Sequence, residues 1–119
     1  MAALQKREER EVAKMTIMVK IDDMFEADIT PIKSRLLAAG VRRLGVFGSV
    51  GRGEARSDSD VDVLVRFDAK ARTFDNLYAV GEALEEVFRR RVDLVTEDAL
   101  SPYLRSQILQ EVKYVDLGT

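Results

Sequence analysis

The chain has 119 residues, 46% hydrophobic and 34% charged, with a net charge of −2 and neither cysteine nor histidine. That length suits one globular domain, and the missing residue types exclude disulfides, zinc–thiolate sites, cysteine nucleophiles and histidine bases. A pI near 5.3 argues against direct nucleic-acid binding, and no apolar run approaches the ~20 residues that cross a bilayer, so a cytoplasmic protein without a membrane partner is expected.

Residues 1–27 read as an N-terminal extension, helical by expectation, in which 1–15 carry dense charge around the sparse apolar points Leu4, Val12 and Met15. From Ile21 the apolar positions Met24, Phe25, Ile32, Leu36 and Ala39 continue one helical face. Thr30-Pro31 marks a break there, read as an N-cap followed by proline at the first helical position, and Gly40 is the stop. Leu44–Phe47 has the size of a buried strand. A short helix is expected from Ser49, interrupted by Gly51 and Gly53.

Val61–Phe67 is rich in β-branched residues and predicts a second strand. Phe74, Leu77, Tyr78, Gly81, Leu84, Val87 and Phe88 then recur at helical spacing, with Thr73 as N-cap and Asp75 in the first turn. Arg89, Arg90 and Arg91 fall at the far end of that helix, where cations complement its dipole. Val92–Thr96 predicts a third strand. Ser101-Pro102 opens a last helix through Tyr103, Leu104, Ile108 and Val112, with Tyr103 and Tyr114 expected to pack against it or the core. Lys113–Leu117 ends as a short strand or tail. The order predicts an α/β (α+β) fold, a small mixed sheet flanked by helices.

The chemistry concentrates in Gly48–Val65. Residues i and i+2 of a strand share a face, so Asp60 and Asp62 project together while Val61 and Val63 face a core. Adjacent carboxylates repel and are poor strand formers, and a bound cation would neutralise them. Oxygen donors without histidine or cysteine suit Mg²⁺ or Mn²⁺. Asp93 has the same setting between Val92 and Leu94. If its strand neighbours that of Asp62, the three carboxylates form a cluster within reach of a shared ion, able to hold two metals for phosphoryl or nucleotidyl displacement. The plainer reading makes Asp60 and Asp62 exposed turn residues and Asp93 an ordinary strand carboxylate.

Gly48-Ser49 follows a strand and precedes a helix, a setting that offers backbone N–H groups and a hydroxyl to an anion. Arg52 is within reach of a triphosphate there. Neither the P-loop pattern nor the G-x-G-x-x-G fingerprint occurs.

Gly48-Ser49, ten intervening residues, Asp60-Val61-Asp62 and the later Val92-Asp93-Leu94 together resemble the minimal nucleotidyltransferase (MNT) branch of the DNA polymerase β-type nucleotidyltransferases. The resemblance runs from about residue 28 to 117, which makes 28–119 the nucleotidyltransferase domain. It implies that Gly48 and Ser49 hold the phosphates of ATP. It also implies that Asp60, Asp62 and Asp93 are the catalytic aspartates, binding two Mg²⁺ ions, with Asp93 the base on the attacking hydroxyl. Gly51 stands where alanine is common in the family.

Members of this size resemble antitoxins paired with a HEPN-domain toxin, some of which move AMP from ATP onto a tyrosine of that partner. The short chain beyond Asp93 leaves little for an acceptor domain, so a protein acceptor is expected. Two alternatives stay open at this level. One is an antitoxin that neutralises by stoichiometric binding. The other is transfer to a small molecule by a homo-oligomer that builds the acceptor pocket.

Overall fold

The computed structural model describes residues 17–22, 25–48 and 60–117. Ser49, Arg52 and the helices expected over 1–15 and from Ser49 lie outside them. A two-stranded antiparallel hairpin comes first, β1 (Met18–Asp22) and β2 (Phe25–Asp28). It corrects the expected helix from Ile21. Here the period-two pattern prevails: Val19 and Ala27 are buried while Met18, Glu26 and Asp28 are exposed.

A 3₁₀ turn (Thr30–Ile32) leads into helix α1 (Lys33–Ala38), with Pro31 at its start as expected. Thr30 is not the N-cap. Ile29 holds that position, and the Thr30 hydroxyl donates to Asp28 at 2.5 Å and accepts from the Ile17 N–H at 2.7 Å. It ties the chain before the hairpin to the turn after it. Gly40 does end α1: its φ is +86°, and a Cβ would strike the Cβ of Ala71.

The main sheet has the order β5-β4-β3-β6, built from β3 (Val41–Phe47), β4 (Val61–Phe67), β5 (Val92–Thr96) and β6 (Lys113–Val115). β3 pairs antiparallel with β4 and β6, whereas β4 and β5 run parallel, so the sheet is mixed as expected. β3 begins three residues earlier than its apolar run indicated, with Arg42 forming an extra residue opposite β4. Side-chain alternation in β4 decides which face is which. Val61, Val63, Val65 and Phe67 enter the hydrophobic core, leaving Asp62 and Arg66 on the other face. Each fully buried valine contributes on the order of 1.5–3 kcal/mol.

Helix α2 (Phe74–Phe88) covers the core face and also packs on α1 and β2. Thr73 is its N-cap, accepting from the Asn76 N–H at 3.2 Å. Its buried stripe is Val80, Ala83, Leu84 and Phe88; Phe74 and Tyr78, read as part of the apolar face, are exposed. Leu77 and Val87, partly buried, extend the stripe against the same core. Arg89 ends the helix at φ +57°. Glu85 reaches forward from α2 and accepts from the Val92 N–H at 2.9 Å, anchoring the start of β5. Helix α3 (Pro102–Glu111) is capped by Ser101, whose hydroxyl accepts from the Leu104 N–H. None of its residues is buried; Tyr103 and Tyr114 are exposed, the Tyr114 ring lying against Arg43. No helix among the described residues is long and apolar enough to cross a membrane.

Candidate active site

Asp62 and Asp93 are register partners in the parallel β4–β5 pair. Neighbouring strands lie about 4.8 Å apart, and partners in parallel strands project from the same face. The two aspartates thus stand side by side on the sheet face away from the hydrophobic core. The Val61 N–H donates to the Arg91 carbonyl at 2.9 Å, fixing the two strands' starts against each other. With the Glu85 anchor on Val92, this sets the register that brings Asp93 level with Asp62. Asp62 is half-buried and Asp93 exposed.

On the opposite flank Phe47, the last residue of β3, is the partner of Asp62, which places Gly48 at its shoulder. Gly48 has φ +67°, and a Cβ there would collide with the Asp62 carboxylate. Two demands for glycine coincide at that position, a left-handed backbone and a close approach. The Gly48 N–H donates to Glu111 Oε1 at 3.3 Å, bringing the end of α3 to the turn. Glu111 had no signal in the sequence, where it is one glutamate at a helix end.

The expected members of the site divide into three groups. Gly48, Asp62 and Asp93 are brought together. Asp60 lies exposed two residues before Asp62, at the mouth of β4. Ser49 and Arg52 lie outside the described residues. Oxygen donors on one sheet face are the right kind for a hard divalent cation, and Asp62 with Asp93 fits one in type and register. The expected convergence of three carboxylates is not found: among the described residues no three acidic groups gather closely enough to hold a metal ion.

The family model described as "Nucleotidyltransferase domain" matches residues 29–115. Protein adenylyltransferase MntA of Thermococcus cleftensis is 38% identical over 101 residues, spanning 85% of this chain and 98% of its own. A Methanocaldococcus jannaschii relative is 38% identical over 76 residues, spanning 64% of this chain and 81% of its own. A solved structure of a "putative minimal nucleotidyltransferase" superposes with a TM-score of 0.57 at 41% identity, covering 71% of this chain and 93% of that one.

Proposed function

Since this chain belongs to the nucleotidyltransferase domain family, we propose that it is a protein adenylyltransferase, moving AMP from ATP to a hydroxyl of a partner protein. The observation that carries this reading is the Asp62–Asp93 register pair beside the positive-φ turn at Gly48. That is an acid pair next to backbone that can receive phosphate. The near full-length match to a protein adenylyltransferase supports a protein acceptor.

The proposed roles follow from chemistry and placement. The acceptor hydroxyl oxygen attacks the α-phosphorus of ATP. The bond to the bridging oxygen of the β-phosphate breaks, and pyrophosphate leaves. Gly48 and Ser49 hold the leaving phosphates through backbone N–H groups and a hydroxyl, with Arg52 on the triphosphate. Asp93, exposed beside the pair, takes the acceptor's proton on a carboxylate oxygen and passes it to water. Asp62 and Asp93, the pair whose register fits a hard cation, are the residues that would hold Mg²⁺, with Asp60 at the mouth of β4 proposed as a further ligand. When bound, the ion would offset the negative charge of the transferring phosphoryl group.

The acceptor we propose is a HEPN-domain toxin modified on a tyrosine, with this chain as its cytoplasmic antitoxin. This finer reading is supported by the motif set Gly48-Ser49, Asp60, Asp62 and Asp93 and its resemblance to MNT antitoxins. Residues 28–119 are taken as the nucleotidyltransferase domain and 1–27 as its extension.

The test incubates the purified protein with Mg²⁺, ATP labelled at the α-phosphate, and the product of the adjacent gene. Label on a tyrosine of that product is the expected result. Absence of label on any protein, with the nucleotide shown to be bound, would overturn the reading.

A further inference from the structure

Arg43 and Arg66 are register partners across β3–β4, and both are exposed. Arg66 shares the face of Asp62, since the two alternate with the core-facing Val63 and Val65. At ~3.3 Å per residue it lies roughly 13 Å along the strand from Asp62. Like charges set directly opposite each other across a ladder repel. The other arginines nearby are each matched by an acid: Arg42 by Asp68 at 2.6 Å, Arg72 by Asp98, and Arg105 by Glu97 at 4.0 Å. Arg43 and Arg66 have no carboxylate partner among the described residues. Arg43 instead lies over the Tyr114 ring, 4.6 Å from its centroid.

Two grooves meet at Arg66, of about 380 and 340 Å³, the first bounded by Glu97 and the second by Arg43. Glu97 is the one buried charged side chain among the described residues, 8% exposed, and its Oε2 has no hydrogen-bond partner. The accessible part of this surface therefore asks for an anion between the two arginines, with the acids Glu97 and Asp98 beside it. A nucleic-acid backbone carries a negative charge at every nucleotide and would set some of them against Glu97 and Asp98. A polypeptide segment can set a carboxylate between the arginines and neutral residues against Glu97 and Asp98.

We propose that this face docks an acidic segment of the acceptor protein, with Arg43 and Arg66 gripping a carboxylate. The proposal rests on the reading that the acceptor is a protein. An extended chain covers about 3.3–3.6 Å per residue, so a hydroxyl roughly four residues from the gripped carboxylate reaches the Asp62–Asp93 pair.

Fluorescence anisotropy with a labelled glutamate–tyrosine copolymer tests this without nucleotide or metal, so it reads docking apart from catalysis. The wild-type protein should bind the copolymer. Arg43→Ser/Arg66→Ser should weaken binding roughly tenfold, the order expected for two exposed charge pairs, with Mg²⁺-ATP affinity unchanged. That unchanged affinity also shows that the variant is folded. Equal copolymer binding by the variant would overturn the proposal, as would no binding by the wild type. Preferential binding of polyuridylate would also overturn it, assigning the face to nucleic acid. Docking with no AMP transfer would instead sink the function proposed above and leave this surface standing.

Discussion

Asp62 of β4 and Asp93 of β5 are direct partners in a parallel ladder, two carboxylates abreast on the sheet face away from the hydrophobic core. Each strand start is held from outside the pair: Val61 donates to the Arg91 carbonyl, and Val92 donates to Glu85 of α2. The surrounding fold thus holds two acids level with each other, a placement that favours a ligand able to neutralise them.

Gly48 is closely constrained. Gly48→Ala should destabilise the fold by about 1–3 kcal/mol, because φ is +67° and the new methyl group would meet the Asp62 carboxylate. Urea unfolding of the variant measures the loss, and Mg²⁺-ATP binding should fail with it. An alanine variant as stable as the wild type would mean that the turn is not built as described.

Glu111 accepts from the same N–H that the nucleotide phosphates are proposed to use. Glu111→Gln keeps the shape and removes the competing charge, so it should tighten nucleotide binding roughly three- to tenfold. Titration with a non-hydrolysable ATP analogue checks this. Weaker binding would show that Glu111 supports the site rather than competes for it.

The junction between hairpin and helix should respond to acid. Hydrogen bonds from the Thr30 hydroxyl, and then from the Thr30 backbone, hold the Asp28 carboxyl below its ordinary value. A carboxyl held low in the folded state adds stability at neutral pH, and that stability disappears as pH falls through the folded value. Asp28→Asn should therefore be less stable than the wild type at neutral pH, with the gap closing below the ordinary aspartate range. Thermal unfolding across acid pH measures the gap, and a pH-independent difference would contradict the assignment.

Much of this architecture could be read in advance where local signals stood alone. β4, β5 and α2, together with the Ser101-Pro102 start of α3, fall where β-branched runs and capping residues place them. The β1–β2 hairpin could not be read this way. Its strands are only five and four residues long, and Ile21, Met24 and Phe25 also match the helical spacing of the residues that follow. The site divides in the same manner. Asp62 and Asp93 announce themselves as acids inside apolar strands, and Asp60 as the acid just before one. Glu111 and the Arg43–Arg66 pair depend on contacts 63 and 23 residues apart in sequence, beyond any local pattern.

The central claim is that Asp62 and Asp93 carry AMP transfer to a protein. The most direct measurement is label transfer from α-labelled ATP to the adjacent gene's product, by the wild type and by Asp62→Asn and Asp93→Asn. Opposed like charges cost about 0.2–1 kcal/mol, so each variant should be at least as stable as the metal-free wild type. The account predicts labelling by the wild type and a loss of at least about a hundredfold in either variant, the scale of a lost general base or charge-stabilising group. Undiminished labelling by both folded variants would contradict it.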